Sequence, residues 1–405
     1  MTPIFCCGWE CGQLGSVGQH WTSATGFSIS TTTVRGAGRS LRCNPSSATA
    51  KSTINSTIGA SGGGVYIFRC YIRFTTLPSA DTTLIWIDDG GSSEGIGFKQ
   101  SDSKLYTRKI TTFGSTGVSV TTGQWYRIDI KVDQSAGTVD AQVDGTSLGQ
   151  VTFTVGSNLA DINVGCKQTV SGDWFYDDWV HSQTSADYPI GAGHVDNFIP
   201  ASDGTHTSTG SDIVKGTAAA PTTGGSITSA TTDAFNWVNG QPLTGGATDN
   251  TRLINQQTAA STEYVEEKFG PGTGVSTPTV APRAVEVITV HQQAATQTCV
   301  FATKLNDNGT TSDLVNQGSI AGITTDKYFT KQFATPPTGG SWNANSSGNG
   351  AFNNLRARFG FSSDATPDVY WRGIMVEAEF ADVVVTAIPN KIVQVNQAIN
   401  RASRW

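Results

Sequence analysis

Hydrophobic and polar positions alternate with a period of two along most of this chain, which predicts strands almost throughout and little helix. In "VYIFRCYIRFTTL", Tyr66, Phe68, Cys70 and Ile72 fall on one face, and Val65, Ile67, Arg69, Tyr71 and Arg73 on the other. The cleanest stretch is "GQWYRIDIKVDQSAGTVDAQVDG". Tyr126, Ile128, Ile130 and Val132 alternate with Arg127, Asp129 and Lys131; then Val139, Ala141 and Val143 alternate with Asp140 and Gln142. A polar alternate face marks a half-buried antiparallel hairpin, and Asp144-Gly145 is a strong turn dipeptide.

The pattern divides the chain. Residues 1–185 read as one block of short strands and hence a β-sandwich. Residues 186–232 lose sustained alternation and carry many Gly, Ser, Thr and Pro, which predicts a connector; its His194 and His206 are expected as exposed loop histidines. Residues 233–382 form a second strand-rich block. There Ala284, Glu286, Ile288 and Val290 alternate with Val285, Val287 and Thr289, and Val376, Ala378 and Phe380 with Glu377 and Glu379. The expected fold is all-β: two antiparallel β-sandwich (jelly-roll) domains and an extended tail, 383–405. The tail's "VVVTAI" is too apolar to lie as an open edge, so Val383, Val385 and Ile388 are expected to dock on a neighbouring subunit; folding back on its own second block is the alternative.

Composition narrows the function classes. Of 405 residues, 14% are charged, against a usual ~25%. The net charge of −6 makes no electrostatic case for nucleic acid. No stretch reaches the roughly 18 apolar residues of a membrane span. "MTPIFCCGWECG" lacks the basic and apolar regions of a secretory leader. Seven scattered cysteines, an odd number, fit synthesis in a reducing cytoplasm. Cys6, Cys7 and Cys11 lack the paired spacing of a zinc or redox site. They read as small core or sheet residues, with a disulfide to Cys43 or Cys166 as the alternative.

The first block resembles the concanavalin A-like lectin and laminin-G-like sandwiches, through the hairpin quoted above, "FYDDWV", and "GWECG" followed by "VRGAGRSLRCN". The whole chain resembles structural proteins of tailed-bacteriophage virions. In those, such a sandwich is followed by "DYPIGAGHVDNFIPASDGTH" and a second β-domain with "FATPPTGGSWNANSSGNGAFNNLRARFGF". The resemblance implies a non-enzymatic virion protein of capsid, neck or tail, made in the host bacterial cytoplasm. Its partners would be other virion proteins and copies of itself, with a trimer implied by likeness to virion appendages. The alternative is a glycan-binding receptor module on a tail fibre that meets the host surface; a polysaccharide-degrading enzyme comes third. In similar modules a glutamate near strand one and a late acid bind structural calcium. Here that implies Glu10 with Asp177 or Asp178, whose oxygens suit a hard cation; otherwise Asp177-Asp178 simply end a strand.

Evidence for catalysis is thin. Glu377 and Glu379 are the acids spaced most like a glycosidase strand, and they are expected on a solvated sheet face. No nucleophile elbow, zinc-protease motif or phosphate loop is present. Trp86, Trp125, Trp174 and Trp179 lie in expected strands, where core packing is the commoner fate of an aromatic.

Overall fold

The structure, a computed structural model, describes residues 3–9, 21, 25–36, 38–54, 64–88, 93–109, 111–153, 161–207, 213–217, 225–226, 231, 238, 251–255, 264–272, 275–293, 298–299, 303–314, 320–321, 327–360 and 369–382. The fold is all-β and antiparallel, as the alternation predicts. Among these residues no helix is long and apolar enough to cross a membrane. Glu10, Cys11 and the tail with Val383, Val385 and Ile388 lie outside the described residues.

The first domain stacks two sheets. Its strands are β1 (Pro3–Cys7), β2 (Phe27–Ser30), β3 (Ser40–Cys43), β4 (Ala48–Ile54), β5 (Val65–Thr76), β6 (Thr82–Asp88), β7 (Ser93–Lys99), β8 (Lys104–Lys109), β9 (Thr112–Ser119), β10 (Trp125–Asp133), β11 (Thr138–Val143), β12 (Thr146–Ser147), β13 (Val151–Thr152), β14 (Asp161–Val170) and β15 (Asp173–Ser182). One sheet runs β12-β11-β10-β5-β15-β3-β2, with β1 also on β15 and β13 on β11. The other runs β4-β14-β6-β7-β8-β9. The expected hairpin is β10–β11, in register from Ile128 opposite Val143 to Asp133 opposite Thr138. Its apolar positions enter a core shared with Phe68, Phe74, Trp174 and Trp179. Asp144 and Gly145 both take positive φ and turn the chain into β12.

Tyr176 pins the two sheets together. Its buried hydroxyl sits on β15, yet it donates to the Leu84 carbonyl at 2.9 Å on β6. It accepts the Trp174 indole N–H at 2.9 Å and the Gly165 N–H at 3.2 Å on β14. Burial pushes its pKa well up, so the phenol stays protonated and able to donate.

The second domain uses β16 (Gly193–Asp203), β17 (Ile213–Thr217), β18 (Gly225–Ser226), β19 (Thr251–Asn255), β20 (Tyr264–Pro271), β21 (Ala284–Gln293), β22 (Thr298–Cys299), β23 (Lys304–Asp307), β24 (Thr310–Asp313), β25 (Ile320–Ala321), β26 (Lys327–Phe333), β27 (Arg356–Gly360) and β28 (Val369–Ala381). Its main sheet runs β18-β17-β19-β28-β16-β20-β27-β23-β24, with β21 bridging β28 and β26. A small ladder joins β22 to β25. Strand β28 is central: β21 flanks one side, and β19 and β16 share the other. The core gathers Trp371, Val376 and Phe380 from β28 with Phe269, Val285, Val287 and Phe359. The stretch expected as a connector contributes β16, β17 and β18 to this sheet. Gly, Pro and Asn hide the period of β16, which is pinned by β28 and β20 on its two sides.

Tyr176→Phe would leave two buried N–H donors without an acceptor, which costs about 1–3 kcal/mol. The expected outcome is a loss of that size in chemical denaturation with an unchanged strand signature in circular dichroism.

Candidate functional site

The sequence-expected acids meet at a seam between the two domains. The outer face of β5 and β15 is not solvated; it packs on β16, β21 and β28 through Cys6, Ile67, Val180, Ile190, Val195 and Ala284. Cys6 and Cys7 point apart, as expected for strand neighbours: Cys6 joins this seam and Cys7 the first core. Cys6, Cys43, Cys70 and Cys166 are free and buried, and Cys7 is buried too. Burial and the nearby Glu286, Glu377 and Glu379 push the Cys6 thiol well up, so it is not a reactive thiolate.

A β-bulge sets the chemistry. Asp177 pairs with Tyr71 and Val180 with Arg69, so Asp178 and Trp179 together oppose one residue. Asp178 takes φ +53°. The bulge turns Trp179 into the core and brings two adjacent carboxylates to the seam. All four of their oxygens accept hydrogen bonds. Asp177 receives the Arg35 N–H at 2.9 Å and the Asp178 N–H at 2.8 Å. Asp178 receives the Arg35 guanidinium at 2.6 Å and the Val195 N–H at 2.6 Å. Burial and its neighbour Asp178 push Asp177 well up; burial raises Asp178 too, against Arg35 and Arg69. N–H donors occupy the positions a cation's ligands would face. The described half of the calcium site implied by the resemblance therefore fits a guanidinium better than calcium.

Glu377 and Glu379 do not face solvent as expected. Both are completely buried, because β28 presents one side to its own core and the other to the first domain. Glu379 accepts Arg69 at 2.9 Å and Arg283 at 2.7 Å, with a second, very short contact to Arg283. Arg69, also wholly buried, donates from Nε and Nη2 to the Asp178 carbonyl and from Nη1 to the Gly191 carbonyl as well. Glu377 accepts the Gly8 N–H at 2.9 Å. Gly193 lies where these groups converge: a Cβ there would stand 2.3 Å from Arg69, 2.4 Å from Arg283 and 2.5 Å from Glu379. At the rim Arg35 stacks 3.5 Å over the Tyr71 ring and pairs with Asp382 at 2.7 Å. His194 lies between Asp382, 2.7 Å away, and Asp196, 3.4 Å away. Hydrogen bonds to Asp196 and Asp382 raise its pKa to about 10, and the His194 contact lowers Asp382 to about 2.

The second expected loop histidine, His206, is 2% exposed. It forms a cluster with Asp203 and Glu267 whose ligand atoms lie within 4.8 Å of one another. Its Nδ1 accepts the Glu266 N–H at 3.1 Å, which puts the ring proton on Nε2, facing Asp203 at 3.4 Å. Burial lowers its pKa. A ring so protonated has no lone pair to offer a metal at Nε2.

A different situation holds on the outer face of the six-stranded sheet. Thr53, Asn163, Trp86, Gly95, Arg108 and Phe113 stand in one cross-strand row. Trp86 and Arg108 are 2% and 3% exposed. The Trp86 Nε1, the Asn163 Nδ2 and the Arg108 Nε and Nη1 have no hydrogen-bond partner. Arg108 lies across Gly97, whose Cβ would meet the arginine Cδ at 2.4 Å, and over the Phe113 ring at 4.7 Å. Burial lowers its pKa, opposed by Asp81 alone. Sequence reading missed Arg35, Arg69, Arg108 and Arg283; the arginines interrupting the apolar strand β5 were the available signal.

Glu379→Gln removes the charge that Arg69 and Arg283 face. Breaking a buried pair on one side costs about 3–5 kcal/mol, and the expected result is a lower melting temperature with separation of the two domains' transitions in calorimetry. Gly193→Ala should act in the same direction through overpacking, by about 1–3 kcal/mol. His194 has a folded pKa above its ordinary 6.5, so its contribution is complete below pH 6.5 and is lost as pH rises through about 10. The stability difference between wild type and His194→Gln, from denaturant titrations, should therefore be largest at pH 6 and shrink towards pH 10.

No family model matches this chain, and no curated protein matches it. Among solved structures it is similar to the cellulose-induced protein Cip1, at 16% identity over 44% of this chain and 97% of that one, TM-score 0.35. It is also similar to domain 4 of AbnA, an extracellular arabinanase from Geobacillus stearothermophilus in complex with arabinotriose, at 12% identity over 45% and 92%, TM-score 0.35. The alginate lyase AlgAT5 is matched at 10% identity over 40% and 83%, TM-score 0.31. These are likenesses of chain path, over less than half of this chain.

Proposed function

We propose that the chain is a non-enzymatic structural protein of a tailed-phage virion, acting through protein–protein contacts at the capsid, neck or tail. The whole-chain resemblance motivates this reading, and the interdomain seam supports it. Carboxylates that could have served catalysis, Glu377 and Glu379, are sealed between the domains and spent on Arg69, Arg283 and the Gly8 N–H. A seam of apolar contacts and buried ion pairs joins two sandwiches into one body able to carry load between neighbours, which suits a particle component. The tail, through Val383, Val385 and Ile388, would dock on a second copy and make a homo-oligomer, a trimer by likeness to virion appendages. A second reading, recognition of a host-surface glycan by the first sandwich, is favoured by the unpartnered donors around Trp86 and Arg108.

Purified particles should contain the chain at a fixed copy number, with density for a two-sandwich body on shell, neck or tail. Absence from particles, or release of reducing ends from polysaccharide by the purified chain, would contradict the proposal. A chain ending at Asp382 keeps the Arg35 and His194 contacts and should stay folded but sediment as a smaller species. An unchanged oligomeric state would remove the docking role of the tail.

A further inference from the structure

We propose that the outer face of the six-stranded sheet, centred on Arg108, holds the carboxylate of an acidic sugar. This rests on the glycan-recognition reading above and adds the class of ligand.

Each nitrogen left without a partner in this row is a donor. The Trp86 Nε1–H, the Asn163 Nδ2–H and two positions of the Arg108 guanidinium can only give hydrogen bonds. The Thr83 hydroxyl, paired with Gly97 on the same face, is also unpartnered. A native structure seldom leaves several buried donors empty together, because each costs its full desolvation. The contrast with the seam is direct: there each arginine meets a carboxylate, whereas Arg108 has an aromatic ring on one side and no ion pair among the described residues. What completes it is an acceptor-rich, negatively charged group, and a carboxylate matches the fork of a guanidinium.

The surroundings suit a sugar ring. Glycines at 97 and 117 let Arg108 and Tyr106 lie against the sheet: a Cβ at 117 would strike the Tyr106 ring at 2.3 Å, as one at 97 would strike Arg108 at 2.4 Å. Tyr106 and Phe113 face each other at 5.6 Å, and the Lys99 ammonium lies 6.0 Å from the Phe113 ring. Phe113 is half-buried and β9 is largely open, while Arg108 is 3% exposed, so a ligand arriving over β9 would have to uncover the guanidinium. Aromatic faces with a nearby cation bind the apolar face of a sugar and its acid together.

The test uses the full chain and titration calorimetry with oligogalacturonate, oligomannuronate and sialyllactose, each against its carboxyl methyl ester. At least one acid should bind, with its ester about tenfold weaker or undetectable, and Arg108→Gln should lose about tenfold in affinity while keeping the wild-type strand signature. Equal binding of acid and ester overturns the carboxylate assignment while leaving glycan recognition standing. Failure of every acid and every ester to bind overturns both. The acid–ester comparison needs no variant, so a misfolded Arg108→Gln protein leaves the test intact; a folded one with unchanged affinity overturns the role of Arg108.

Discussion

The contact between Arg69 and Glu379 governs the architecture. The two residues lie 310 positions apart in sequence, in different domains, and neither touches solvent. Two charges removed from water lose far more than their mutual attraction returns unless further hydrogen bonds complete both groups. The surroundings do this. Arg283 supplies a second cation to Glu379, and the Asp178 and Gly191 carbonyls take further Arg69 donors. The bulge in β15, the glycine at 193 and the pairing of β16 with β28 are what let these groups converge. Such a set adds little net stability over a greasy interface, but it tolerates only one relative placement of the two sandwiches.

Much of the fold was legible because alternation reports which residues share a face. Tyr66, Phe68 and Cys70 went to the core together, as did Val376, Ala378 and Phe380. Alternation does not report what covers the other face. Glu377 and Glu379 looked like a solvated sheet face, and only packing against a distant strand reveals them as buried. Asp177 and Asp178 show a second limit. Strict period two sends neighbours to opposite faces, and a bulge that opposes two residues to one breaks the rule without a proline or glycine to announce it. His206 shows a third: its loop is rich in Gly and Thr, yet the ring is held by the Glu266 amide of β20. The row at Arg108 depends on register across five pairings, which no single strand's sequence contains.

The chain handles its few charges in two ways. In the seam each arginine is matched to a carboxylate. On the six-stranded sheet an arginine and several neutral donors share a face with little to satisfy them. In a protein with only 14% charged residues, the first sandwich thus uses one sheet to pack on its sister domain and keeps on the other the donors on which the recognition proposal rests.

The length of the loop closed by Arg69 and Glu379 has a consequence during synthesis. The first sandwich has all its strands once Ser182 has left the ribosome, and its core can close then. Its outer face meets Ile190 and Val195 first and Ala284 later, but the buried Arg69 has no carboxylate partner until Glu379 on β28 emerges. At ribosomal speeds of ~5–20 residues per second, the wait between Ser182 and Glu379 is ~10–40 s. For that interval the nascent protein carries a half-apolar, half-ionic surface in a crowded polysome, where neighbouring copies present the same surface. Slow or paused translation through the second domain would then favour cross-pairing between chains, and the yield of correctly assembled protein becomes a matter of elongation rate as well as of equilibrium stability.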